Sequence, residues 1–308
     1  MLKKIIITIC LHLTLYSDCL PQWLSDENNC KVYNPCPSET ESIEWDGKCK
    51  NGKIEGQGIL KWYVNGKLYS VSLGNMKQGK INEDEFQIDI WDESIFLGYE
   101  GTKGFIKGTY LQNAPNKVVY FGSFKVENKF DYGILIDDTS KVAVGSFDEY
   151  NQLHGHGLLT KLSSHISENG YFNHGNIEEG LRSEFYPIPN KELCNFSTAY
   201  KAKDQIKYKN TYQGICGYRT NLQDNVIQSY HDNIWFARKT QESQKVFLSV
   251  RKNSILKGNI INGLLEGEGM IINEDYIETG MFKRNTLVEG WRIYITVGLK
   301  NLKYERVK

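Results

Sequence analysis

The chain lacks most of the features by which enzymes and nucleic-acid binders announce themselves. After its first seventeen residues no apolar run approaches the roughly 20 residues that a membrane helix needs. Only six prolines and four methionines occur in 308 residues, and no Ala- or Leu-rich tract suggests long helices. The 19 tyrosines and 13 phenylalanines lean towards strand. No cysteine pair has the C-x2-C spacing of a zinc site. Neither a G-x-S-x-G nucleophile elbow nor a P-loop is present; GYEGTKGFIKGT (Gly98 to Thr109) has glycines at the wrong spacing. Net charge is also missing, with 37 basic residues against 37 acidic ones.

What is present begins with MLKKIIITICLHLTLYS. Lys3 and Lys4 form a positive start, Ile5 to Tyr16 a mostly apolar core, and Ser17 a small residue at which cleavage is expected. Residues 1–17 are therefore expected to be a signal peptide, and the protein to be exported to periplasm, cell surface or extracellular space. A lipid anchor would need a small residue before Cys19, where Asp18 stands. Loss of the two lysines leaves 35 basic and 37 acidic residues, a balance that argues against nucleic acid and against simple basic attachment to anionic lipid. Six cysteines remain: Cys19, Cys30, Cys36, Cys49, Cys194 and Cys216. In an exported chain an even number favours disulfides over zinc, although six cysteines allow 15 pairings.

The chain also repeats itself. Counting Trp45 as zero, glycines fall at +2 (Gly47), +7 (Gly52), +11 (Gly56) and +13 (Gly58), with Cys49 at +4 and Leu60 at +15. The same template starting at Leu256 finds Gly258, Ile260, Gly263, Gly267, Gly269 and Ile271. Degenerate copies begin at Ser72, Phe96, Tyr120 (Gly122, Gly133), Ala143 (Gly145, then after one inserted residue Gly155 and Gly157) and Glu168 (Gly170, Gly175). A second series steps from Tyr212 through Ile234 and Leu256 to Glu278 (Gly280), so copies start 22 to 27 residues apart. ENGYFNHGNIEEGLR (Glu168 to Arg182) aligns without a gap to ETGMFKRNTLVEGWR (Glu278 to Arg292).

Side chains alternate along a strand, so 0, +2 and +4 share one face, as do +11, +13 and +15. Bulky–glycine–bulky leaves a hole in which a ring from the neighbouring strand can lie. Segments such as NGKIEG (Asn51 to Gly56) have the chemistry of turns. Each unit is thus expected to be a β-hairpin, and the whole an all-β, elongated, twisted antiparallel sheet of stacked hairpins. A cap segment is expected at 18–42, a first block at 43–182, a connector at 183–193 (SEFYPIPNKEL, with Pro187 and Pro189), and a second, degenerate block at 194–308.

This pattern resembles the MORN-repeat family (membrane occupation and recognition nexus), well over 43–182 and 256–292 and poorly over 194–255. The arrangement of a cysteine about twenty residues before W-x-G-x-C also resembles exported bacterial MORN proteins. The resemblance implies a sheet with a shallow groove and a binding or scaffolding role. It transfers no catalytic residue. Within that framework Cys30–Cys49 would staple the incoming segment onto the first hairpin, Cys194–Cys216 would do the same for the second block, and Cys19 and Cys36 are left for each other.

Other candidate chemistry is thin. His154 and His156 in LHGHG share a strand face, with His165 and His174 downstream, but no acidic or cysteine ligand has an evident claim to join them, so no metal is expected. Adjacent carboxylates such as Asp137 and Asp138, or Glu178 and Glu179, point to opposite strand faces. Neither catalysis nor a cofactor is expected. The aromatics Trp62, Tyr63, Trp91, Trp235, Phe236 and Trp291 exceed the template's needs, and Trp62 and Trp91 are the first candidates for a binding groove. The expected function is a non-catalytic scaffold holding a protein partner. The rivals are a lipid or envelope-surface binder, which salt-resistant co-flotation with liposomes would reveal, and a glycan or cell-wall hydrolase.

Overall fold

The computed structural model describes residues 20–308 except 83–84, 102–103, 113–116, 126–128, 138–140, 162–165, 188–192, 203–204, 216–217, 223–224, 231–232, 240–243, 252–253, 296–298 and 300–301. The expected signal peptide, Cys19, Asp138, His165, Pro189 and Cys216 lie outside the described residues. The protein is all-β, with strands following one another as hairpins in two sheets, one over Gln22–Ile215 and one over Tyr218–Val307. From Gln87–Ile90 to Gln205–Ile215 every strand pairs antiparallel with the next one in sequence. The second sheet follows the same rule from Tyr218–Leu222 to Lys303–Val307. Among the described residues one parallel contact occurs, Lys31 opposite Lys53.

The expected connector 183–193 does not coincide with a change of sheet. Asn176–Pro187 pairs with Leu193–Ala202, setting Pro187 opposite Cys194, so the first sheet continues through this region. The change of sheet falls between Ile215 and Tyr218. A strand that ends in proline loses one ladder donor, which is tolerated at its last residue.

The repeat glycines form a row across the strands. Gly98, Gly108, Gly122, Gly133, Gly145, Gly157, Gly170 and Gly180 stand opposite one another in succession. Gly258, Gly269, Gly280 and Gly290 repeat the row in the second sheet. Gly58, Gly108 and Gly133 are covered by a ring from the neighbouring strand, as expected, whereas Gly47, Gly98 and Gly122 are covered by the ring two residues before them in sequence. The bulky residue at position zero folds along its own hairpin: Trp45 covers Gly47 and Gly58, Phe96 covers Gly98 and Gly108, and Tyr120 covers Gly122 and Gly133. The +11 glycines play another part. Gly56, Gly155 and Gly267 have φ of 78°, 82° and 75°, with nothing within 4 Å of a Cβ built on them. They supply backbone conformation that an L side chain resists.

An apolar position that the template omitted completes the packing. At +9 stand Ile54, Ile81, Phe105, Ile177, Leu265 and Leu287, with Phe130 and Leu153 one residue later. Phe105 stacks on Phe96 at 3.8 Å and Phe130 on Tyr120 at 4.0 Å. Where position zero is the small Ala143, Leu153 covers Gly145 and Gly157 instead.

The opposite strand face builds a second core. Val119, Phe121, Ile134, Ile136, Val142, Val144 and Leu158 of the first sheet cluster with Leu248, Val250, Met270, Ile272, Ile277 and Ile293 of the second. The two sheets therefore pack face to face, and Phe236, one of the aromatics beyond the template's needs, is 1% exposed in this core. The gapless alignment of the two repeat ends also has a physical counterpart. Glu168 stands opposite Arg182 and Glu278 opposite Arg292, each pair an ion pair, at 3.2 and 2.6 Å.

At the N-terminal end, Gln22–Ser25 and Lys31–Asn34 form a hairpin folded onto the first repeat. The Cys30–Cys49 disulfide links the two, as expected. Cys30 is buried with Trp45, Ile54, Leu60 and Met76. Trp23 sits over Gly79, and Lys53 and Lys80 lie over the rings of Trp23 and Tyr33. Cys36 and Cys194 are also disulfide-bonded, while the cysteines expected to pair with them lie outside the described residues.

Candidate functional site: an aromatic cleft on the repeat face

On the first sheet's repeat face the rings of Phe96 and Tyr120 lie over the glycine row and are joined by further rings along it. Phe96, Phe105, Tyr120, Phe124, Phe130 and Phe147 form one connected array with centroid separations of 3.8 to 6.1 Å, alternating stacked and edge-on pairs. Burial pushes the Tyr120 phenol well above its ordinary pKa, and its hydroxyl donates to the Ser123 carbonyl at 2.8 Å. This ring is a structural post and not an acid–base group.

A cleft of about 470 Å³ opens along the array. Trp91, Phe105, Tyr110, Phe130 and Leu135 supply its apolar walls, and Ser94, Gln112 and Asn151 its polar groups. None of these side chains is charged. Trp91 is held by a tight turn in which its amide donates to the Ser94 carbonyl at 2.8 Å, and its ring leans on Phe105 at 5.8 Å. Tyr110 lies 6.1 Å from Phe130, whose amide donates to Asn151 Oδ1. The cleft has the composition of a recognition surface: flat rings with a few neutral hydrogen-bonding groups.

Of the two aromatics first singled out, Trp91 lines this cleft, whereas Trp62 packs against the N-terminal core beside Ile43 and Leu60. Trp291 packs 6.3 Å from Tyr304 and borders a second cleft, of about 690 Å³, with Phe86 and Arg306. That cleft is mixed in charge, carrying Asp46, Glu85 and Arg306.

Two features were not visible in the sequence. Asp89 is buried on the repeat face opposite Ser72 and Phe96, its carboxylate accepting from Gln87 Nε2 at 2.8 Å, while the same nitrogen reaches Glu100 at 2.6 Å. Burial, with the nearby Glu100 charge, pushes the Asp89 pKa up to about 7 against bonds from Ser72 and Gln87. Burial likewise raises Glu100. This is a carboxylate pair, but the amide lies between its members and Asp89 is 3% exposed. Between the sheets, Lys257 donates to Thr109 at 3.0 Å and lies over Phe121; burial, then Lys107, pull its pKa down to about 8. No protein-family model matches the chain, and no curated protein matches it either.

Proposed function

We propose that this protein is an exported, non-catalytic scaffold of MORN-like repeats that holds a protein partner on the outer face of its first sheet. The uncharged aromatic cleft around Trp91 and Tyr110 carries this reading. Its rings offer apolar stacking area, and Gln112 and Asn151 offer orienting hydrogen bonds, a combination suited to an extended peptide segment. The neutral lining gives anionic headgroups nothing to pair with, which counts against the lipid-surface reading. The sealing of Asp89 behind Gln87 counts against a hydrolase that would use this carboxylate pair. Export is supported by the Cys30–Cys49 disulfide, which persists in oxidising compartments.

The test is crosslinking of the full chain in the exported fraction, with wild type compared to Trp91→Ala and Tyr110→Ala. Both variants are expected to recover markedly less of the wild type's partner while keeping its unfolding free energy within about 2 kcal/mol, the range for truncating a half-buried ring. Undiminished recovery by both variants would sink the assignment of this cleft.

A further inference from the structure

Two successive hairpins bring Asp148, His154 and His174 together. Asp148 follows the strand Lys141–Phe147, His154 opens the strand Leu153–Lys161, and His174 sits in the turn between Ile166–Asn173 and Asn176–Pro187. One ligand atom from each lies within 4.8 Å of the other two. His174 Nδ1 is 2.6 Å from Asp148 Oδ2, and the His154 and His174 ring centroids are 5.7 Å apart. The acid whose absence argued against a metal at LHGHG is thus supplied by tertiary structure, and the second imidazole is His174 instead of His156. His156 faces Tyr171 at 5.6 Å.

Comparison among the repeat's own copies makes the cluster unusual. In two other copies a glutamate at the place of His154 accepts the backbone amide of the next turn: Glu55 accepts from Gln78 at 2.6 Å and Glu266 from Arg284 at 3.2 Å. His174 occupies the turn position of Gln78 and Arg284, with φ of 45°. Here the capping glutamate has become histidine, and the turn residue has become histidine as well. His154 Nδ1 is buried and has no hydrogen-bond partner among the described residues. A lost cap together with an orphaned ring nitrogen is costly to the fold unless a ligand uses that nitrogen.

We infer that Asp148, His154 and His174 bind a divalent transition-metal ion of the zinc class through two imidazoles and one carboxylate. Two imidazoles select borderline cations over calcium or magnesium, which take oxygen ligands. Metal–ligand bonds of about 2.0–2.2 Å place tetrahedral ligands about 3.4 Å apart, so the side chains move by about 1 Å to close the site. The His174 side chain is 57% exposed and has room to turn. Asp148 is already oriented, because its Oδ1 accepts the amides of Tyr150 and Gln152, both at 2.9 Å. Burial draws the Asp148 pKa upward, but the Gln152 amide, His174 and the Tyr150 amide outweigh it and keep the carboxyl below its ordinary value. Binding releases any proton shared by His174 and Asp148 to solvent and changes no oxidation state. Three protein ligands leave a fourth position for water or a partner's side chain.

The test titrates the chelator-treated, disulfide-intact full chain with Co2+, followed by its visible absorption, and with Zn2+ in competition. One saturable equivalent per chain with an intense tetrahedral Co2+ band, displaced by Zn2+, is expected. His154→Ala and His174→Asn should each weaken binding by about 10- to 100-fold or more, and asparagine tolerates the left-handed turn. His156→Ala should leave binding unchanged. Zn2+ should also raise the melting temperature of the wild type and not of His174→Asn, which separates loss of the site from loss of the fold. Absence of a saturable equivalent, or binding that survives His174→Asn, or equal loss in His156→Ala, overturns the assignment.

Discussion

Replacing Gly133 with alanine tests whether the glycines exist to admit rings. A Cβ at this position would lie 2.3 Å from the Phe121 carbonyl oxygen and 2.8 Å from Tyr120 Cζ, where ordinary contact begins near 3.4 Å. The backbone φ is not in the left-handed region, so the cost is steric and not conformational. Either the two strands separate by about 1 Å or Tyr120 leaves its bed. Forcing a methyl into a packed site costs about 1–3 kcal/mol. Displacing Tyr120 also loses the stack on Phe130, worth about 0.5–1.5 kcal/mol, and the hydroxyl's bond to Ser123, worth about 1 kcal/mol. The total is about 3–5 kcal/mol. Gly52→Ala is the matched control: it has φ of 70° and nothing within 4 Å, so only conformational strain of about 1–2 kcal/mol applies. Equilibrium urea unfolding of the oxidised chain should show the larger midpoint loss for Gly133→Ala, with loss of near-ultraviolet tyrosine signal. If Gly133→Ala costs no more than Gly52→Ala, the ring-over-glycine explanation is wrong.

Asp89 makes stability depend on pH. Its folded pKa of about 7 lies above the ordinary 3.8, so its contribution is complete below that ordinary value and is lost as pH rises through 7. About three units correspond to about 4 kcal/mol. Asp89→Asn should match the wild type near pH 4 and exceed it by up to that amount at pH 8; parallel pH profiles for the two proteins would refute this. Serine at both Cys30 and Cys49 opens a link between residues 19 positions apart and should cost about 3 kcal/mol, read as the gap between oxidised wild type and variant. An unchanged unfolding midpoint would mean that the N-terminal hairpin docks without its staple. Glu278→Gln leaves Glu305 as the carboxylate paired with Arg292 among the described residues, and about 1–3 kcal/mol should be lost because Glu278 is 4% exposed. A loss that vanishes at high salt would mark the pair as a surface contact instead.

Hairpins and turn glycines were legible because each depends on residues close in sequence, and the first disulfide followed from the resemblance of the array to MORN repeats. Asn51–Gly52 and Asn262–Gly263 both have positive φ, as two-residue hairpin turns require. The apolar residue at +9, or at +10 where Phe130 and Leu153 stand, lies in the turn-rich half of the unit, where glycine and asparagine dominate the local pattern and only the folded hairpin gives it a packing role. The share of Trp91 and Trp62 between cleft and core depends on which elements pack over the turn at Trp91 and over the strand that carries Trp62, and these are distant in sequence. The Asp148–His154–His174 cluster was hidden for a different reason. Asp148 and His154 flank the turn of one hairpin and His174 sits in the turn of the next, and only the stacking register brings the two turns together.

By itself the sequence determined the unit: an amphipathic hairpin with glycine where a ring must lie flat, glycine or asparagine where the chain must turn, and a cysteine where the array begins. Alternation and turn chemistry are short-range, so one copy suffices to specify them. Only the tertiary structure decided that two such arrays face each other across a Val-, Ile- and Leu-rich core, with the sheet changing after Ile215. Those residues on the second face would serve equally well against a sheet, a partner or another copy. Which surface they meet is set by long-range packing of whole sheets, and that choice leaves the ring-lined face open as the cleft around Trp91.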